Sequence, residues 1–145
     1  MEMITIEITK RIEFDYGHRV PGHRGKCRSP HGHRARVEVT VTGTVPRTGM
    51  IEDFGALKGM MEAVIAEPWD HAFLVHREDT QLLEALEGKG WKVVVLDLPP
   101  TAENLALMVA QAMEKHISSV SSQLTVTRVT FYETPNSWAT WTKRG

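Results

Sequence analysis

The sequence predicts an α+β domain in which an antiparallel sheet carries helices on one face. Two observations lead there: the chain opens and closes with segments whose apolar residues alternate, and its middle carries apolar stripes at helical spacing. In the first segment Ile4, Ile6, Ile8, Ile12 and Phe14 are apolar while Thr5, Glu7, Thr9, Arg11 and Glu13 are polar, the period of a half-buried strand. Val37, Val39 and Val41 against Glu38, Thr40 and Thr42 repeat that period and end at Gly43. Between these strands the stretch from Arg19 to Pro30 holds Pro21, Gly22 and Gly25 with the cations Arg19, Arg24, Lys26 and Arg28. It reads as an ordered functional loop rather than a tight hairpin turn.

Asp53 is placed to cap a helix with Phe54, Leu57, Met61, Val64 and Ile65 on one stripe, stopping before Pro68. A shorter helix around Leu82, Leu83 and Leu86 ends at Gly88 and Gly90. Lys92 to Leu98 follows as a strand whose run of Val93, Val94, Val95 and Leu96 predicts cover on both faces. After Pro99 and Pro100, Thr101 caps a helix with Leu105, Met108, Val109, Ala112 and Met113 inward. Leu124 to Thr134 and Trp138 to Thr142 close the chain as an antiparallel pair. No repeat, low-complexity stretch or linker interrupts the series, so residues 1–145 are expected to form a single domain.

Charge and cysteine usage narrow the function. With 17 Lys+Arg against 18 Asp+Glu the net charge is -1, without the basic excess that phosphate-backbone binding needs. The single cysteine, Cys27, excludes an internal disulfide and a four-cysteine metal site. No apolar run approaches the roughly 18 residues of a membrane span, and the first residues alternate instead of forming the core of a signal peptide. A cytoplasmic protein without nucleic-acid or membrane partners is expected.

The chemistry gathers in histidines. Extending the parity of the first strand puts His18 on the face of Ile12 and Phe14, while His31 and His33 share the face of Ala35, Val37 and Val39. Three imidazoles converging from two paired strands suit zinc (Zn2+) and leave its fourth tetrahedral position for water or substrate. A His-x-His pair also arises by chance. However, three ring nitrogens buried together without a metal are poorly satisfied. His23, His76 and His116 lack such company and read as surface or helix-end residues.

Cys27 lies among Arg24, Lys26 and Arg28, whose charge favours a thiolate; the plainer reading is an inert buried thiol. Asp70 precedes His71 where a carboxylate can orient an imidazole, provided the backbone turns, because adjacent strand residues point apart. The alternative is a capping aspartate beside a partly exposed histidine. Glu133 shares the parity of Val129 and Phe131, and a carboxylate on an apolar face must be paired or serve a ligand.

Cys27-Arg28-Ser29-Pro30-His31-Gly32-His33, His18, Asp70-His71-Ala72-Phe73-Leu74, Ile51 to Lys58, Pro100 to Leu105 and Glu133 together resemble the 6-pyruvoyltetrahydropterin synthase superfamily over nearly the whole chain. The Cys-x-x-x-His-Gly-His spacing is more similar to its bacterial 6-carboxytetrahydropterin synthase branch than to the animal enzymes. The resemblance implies a tunnelling fold (T-fold), a four-stranded antiparallel sheet with helices on one face, assembling as a barrel into a homohexamer of two trimers with active sites between subunits. It implies zinc on His18, His31 and His33, and catalytic roles for Cys27, Asp70 and His71. It further implies a pterin anchored by Glu133, with Thr101 and Glu103 in the pocket. The implied reaction converts 7,8-dihydroneopterin triphosphate to 6-carboxy-5,6,7,8-tetrahydropterin, acetaldehyde and triphosphate, toward 7-deazaguanines such as queuosine. The alternatives are 6-pyruvoyltetrahydropterin formation and, in another class, a non-enzymatic zinc-stabilised ligand-binding module.

Overall fold

A computed structural model describes residues 3–121 and 123–144. Along the chain run β1 (Thr5–His18), a 3-10 turn (Lys26–Arg28), β2 (His31–Thr44) and α1 (Phe54–Met61). A π-helical turn (Glu62–Ala66) carries α1 on into α2 (Glu67–Trp69). Then follow β3 (Ala72–His76), α3 (Thr80–Leu86), β4 (Val93–Leu96), α4 (Ala102–Val120), β5 (Thr125–Thr134) and β6 (Ser137–Thr142).

β1 and β2 form one long antiparallel pair in unbroken register, from Thr5 opposite Thr44 to His18 opposite His31. β5 continues the sheet antiparallel on β2, and β6 on β5. The expected four antiparallel strands are therefore present, but the sheet has six, in the order β4-β3-β1-β2-β5-β6. The two additions are parallel: β3 joins β1, and β4 joins β3 after a crossover through α3. As an edge strand β4 is shorter than the expected Lys92–Leu98. Its Val95 is 51% exposed rather than covered on both faces.

Alternation puts Ile12, Phe14 and Tyr16 of β1, Val37, Val39 and Val41 of β2, and Val129 and Phe131 of β5 on one face. Against them pack Leu57, Met61 and Ile65 of the first helical stretch and Leu105, Val109, Met113 and Ile117 of α4, in one core. Each fully buried side chain of this size contributes about 1.5–3 kcal/mol. Val75, alternating with Leu74 on β3, forms a smaller cluster with Leu82 and Leu86 of α3. The apolar parity of β1 runs further than the helical cover: Ile8 is half-buried, and Ile4 and Ile6 are exposed. Phe54, expected in the α1 stripe, is exposed in the first turn of that helix.

Caps begin the helices where the sequence places them. Asp53 accepts from the Gly55 N–H at 3.0 Å, and Thr101 from the Asn104 N–H at 3.2 Å. The latter cap holds Pro100 at the end of the sheet where β1 and β2 present their histidines.

Candidate functional site

The strand register builds the site. His18 closes the buried face of β1, His31 stands opposite it on β2, and His33 stands opposite Tyr16. His18 Nδ1 lies 2.7 Å from the Pro100 carbonyl, and His31 Nδ1 lies 2.6 Å from that of Ser29. A carbonyl only accepts, so both Nδ1 atoms carry hydrogen, and each neutral ring turns an Nε2 lone pair inward. Those two Nε2 atoms are 3.1 Å apart. Lone pairs at that distance repel unless they share a cation, either a proton or a metal ion.

β5 supplies the fourth member. Its register against β6 shifts between Tyr132 and Thr134, and this bulge carries Glu133 to the histidines. Glu133 Oε1 lies 2.9 Å from His33 Nε2 and 3.6 Å from His18 Nε2. The 2.9 Å approach lacks the angle of a hydrogen bond, which leaves His33 Nε2 buried without a hydrogen-bond partner. The donor atoms of His18, His31, His33 and Glu133 all lie within 4.8 Å of one another. Bonds of about 2.0–2.1 Å to a tetrahedral ion separate its ligands by about 3.3 Å, so the orphaned nitrogen and the facing lone pairs both fit a metal. The carbonyl contacts on the far nitrogens are the outer support such ligands use.

The charges agree. Burial first, then the neighbouring His18 and His31, lower the His33 pKa and favour the neutral ring a metal requires; Glu133 opposes them. Glu133 is held below the usual carboxylate range, first by His18 and then by His33 and His31, while its own burial acts against this.

Asp70 and His71 occupy the turn from α2 into β3. His71 has φ 60, the one positive φ at a residue other than glycine among the described residues. That backbone is the turn the pair needs: His71 Nδ1 lies 3.0 Å from Asp70 Oδ2. Asp70 Oδ1 accepts from the Asp15 N–H at 3.0 Å, and this bond first, with His71 adding, holds its pKa low. The His71 N–H donates to the Asp15 carbonyl at 2.7 Å, which ties the pair to β1. His71 is 75% exposed at its side chain, and it lines a cavity of about 460 Å³ together with His31, His33 and Phe73. Gly17 beside it leaves room for the Phe73 ring, which a Cβ there meets at 2.9 Å.

Cys27 sits half-buried on the 3-10 turn between β1 and β2. Its carbonyl accepts from the Val20 N–H at 2.7 Å, closing the loop. Arg19 anchors that loop: it donates to both oxygens of the buried Asp79, through Nε at 2.7 Å, and reaches the Arg28 carbonyl at 3.4 Å. Arg24, Arg28 and Ser29 line a second cavity of about 540 Å³.

The 6-pyruvoyl tetrahydropterin synthase family matches residues 7–144. The chain belongs to this family. It is 38% identical over 133 residues to the 6-carboxy-5,6,7,8-tetrahydropterin synthase of Rickettsia bellii, covering 90% of this chain and 96% of that one. To the enzyme of the same name from Haemophilus influenzae it is 31% identical over 139 residues, covering 91% and 95%. The fold matches a Plasmodium vivax 6-pyruvoyltetrahydropterin synthase at a TM-score of 0.75 and 18% identity, over 97% of this chain and 98% of that one. The architecture is the tunnelling fold. Among the described residues no helix is long and apolar enough to cross a membrane.

Within this member of the family, His18, His31, His33 and Glu133 meet in one cluster, and Asp70 and His71 pair beside it. Thr101 Oγ1 accepts from the Asn104 N–H in the α4 cap, next to the Pro100 carbonyl that orients His18, and Glu103 is exposed in the first turn of α4. His23 and His116 lie outside the cluster, and His76 is half-buried at the end of β3 rather than on the surface. Two participants escaped the sequence reading. Tyr16 was legible as the β1 position between Phe14 and His18 in the same parity. The Arg19–Asp79 pair spans 60 residues and left no local signal.

Proposed function

We propose that this chain is a zinc-dependent 6-carboxy-5,6,7,8-tetrahydropterin synthase, a lyase converting 7,8-dihydroneopterin triphosphate to the carboxy product, acetaldehyde and triphosphate. The observation that carries the reading is the pair of imidazole nitrogens 3.1 Å apart with their far nitrogens on carbonyls, in a chain whose curated relatives bear that enzyme's name. His18, His31 and His33 are the residues that hold zinc. Bound there, it supplies Lewis acidity that acidifies the hydroxyl groups of the substrate side chain.

The remaining roles belong to the chain. Glu133 accepts the 2-amino and N3–H donors of the pterin, a parallel pair that suits a carboxylate, and so sets the side chain over the histidines. Cys27, on its cationic turn, and His71, oriented by Asp70, move the protons. No acidic residue lies between Asp15 and Glu38, so the loop's cations are uncompensated within their own segment. Arg19 is occupied by Asp79, which leaves Arg24 and Arg28, lining the cavity beside Ser29, to receive the triphosphate. Thr101 and Glu103 contribute to the pterin pocket, and the active sites lie between the subunits of a homohexamer that joins single-domain chains into barrels. A cytoplasmic setting and a place on the route to queuosine accompany this reading.

The test is product analysis. Incubation of the zinc-loaded protein with dihydroneopterin triphosphate is expected to release acetaldehyde and the carboxy product. A product retaining all three side-chain carbons assigns 6-pyruvoyl chemistry instead. With Cys27→Ala, turnover is expected to vanish while metal and fold remain, whereas unchanged turnover removes Cys27 from the mechanism.

A further inference from the structure

The histidine cluster has a further polar neighbour without an assigned role. Tyr16 precedes His18 by two residues on β1 and stands opposite His33. Its ring centroid lies 5.1 Å from that of His18 and 5.7 Å from that of His33, edged on the core side by Phe14 and Phe131. The residue is 4% exposed, and its hydroxyl has no hydrogen-bond partner among the described residues. Tyr16 lines the same cavity as His31, His33 and His71, which places it on the side of the site.

A buried donor left unmade destabilises the fold, and a phenylalanine packs the same space without that penalty. The hydroxyl therefore has no use within the single chain. Its use lies in a complex, where the missing acceptor arrives with the ligand. We propose that Tyr16 is a substrate-binding residue, its hydroxyl donating a hydrogen bond to a ring nitrogen, carbonyl or hydroxyl oxygen of the molecule that fills the histidine pocket. This rests on the pterin reading above and adds to it a residue that selects ligands presenting an acceptor beside the histidines. The same hydroxyl is a tuning point for specificity, because a ligand presenting a donor or a methyl group there leaves it stranded.

Tyr16→Phe tests this in the zinc-loaded protein, by zinc content, thermal midpoint without ligand, Kd for 7,8-dihydroneopterin, and KM and kcat with its triphosphate. Zinc content is expected to hold, and the midpoint to stay level or rise, since an unmet donor has gone. Affinity for dihydroneopterin is expected to weaken about tenfold, the worth of one buried hydrogen bond, with the same factor in KM for the triphosphate. Arg24→Ala and Arg28→Ala, by contrast, are expected to weaken only the triphosphate. A Kd within twofold of wild type overturns the proposal, and so does loss of zinc, which assigns the hydroxyl to the metal site. If the wild-type protein itself binds no pterin, the pterin reading fails, an outcome distinct from wild-type binding that Tyr16→Phe leaves unchanged.

Discussion

Replacing Asp79 by alanine strands the Arg19 guanidinium. The Asp79 side chain is 3% exposed and takes two hydrogen bonds from Arg19, itself 17% exposed. Removing one partner of a buried ion pair costs about 3–5 kcal/mol, and because the edge of Arg19 still reaches water the cost is about 3 kcal/mol. Asp79 also caps α3 by accepting from the Leu82 N–H at 3.3 Å, worth about 1 kcal/mol more. At about 2.1 cal/mol/K per residue, the 145 residues give an unfolding entropy near 0.3 kcal/mol/K, so Asp79→Ala lowers Tm by about 13 °C. Asp79→Asn retains a capping oxygen and is expected to lose about 10 °C. The pH dependence follows the carboxyl, which Arg19 first, and then the Leu82 N–H, hold below its ordinary value. Its contribution is whole above the unfolded pKa of about 3.9 and is lost as pH falls through the lower folded value. The difference between wild type and Asp79→Asn in calorimetry is therefore flat from about pH 5 to 8 and shrinks below about pH 4. Because Arg19 also holds the Arg28 carbonyl, kcat is expected to fall with Tm through the turn that carries Cys27. An Asp79→Ala protein within 3 °C of wild type, or a difference that ignores acid pH, refutes this reasoning.

Further outcomes follow from the same geometry. Glu133→Gln is expected to keep its zinc while pterin affinity falls at least tenfold, measured by metal analysis and titration; loss of zinc makes Glu133 a fourth ligand and closes the site. His71→Gly relieves a left-handed backbone and gives up only an exposed ion pair. Stability in urea is therefore expected to rise by up to about 1 kcal/mol while turnover falls. Met113→Ala, at a fully buried position of α4, is expected to cost about 2–5 kcal/mol in the same assay without changing zinc content.

How much of this was legible in the sequence depended on how local each signal was. His18 could be placed because β1 alternates without a bulge through Gly17, so parity counted from Ile12 still held six residues later. His31 and His33 followed from β2 in the same way, and the need for a turn at Asp70-His71 was met by a positive φ. β3 was missed because it has five residues, lacks simple alternation, and meets β1 only at Tyr16–Ala72 and Gly17–Phe73, pairings far apart in the chain. β4 was read as a two-sided buried strand because four successive apolar residues look alike at an edge and in a centre. Phe54 shows the corresponding limit for helices: spacing gives the stripe, and the neighbours decide how far along it cover extends.

The central claim is that His18, His31 and His33 hold one metal ion between them. Elemental analysis of the protein purified without added metal, beside His31→Ala prepared identically, tests it most directly. About one zinc per chain in the wild type and its loss in the variant are expected, with His18 and His33 alone too few to retain it. Metal-free wild-type protein that refuses added zinc, or full occupancy in His31→Ala, contradicts the account.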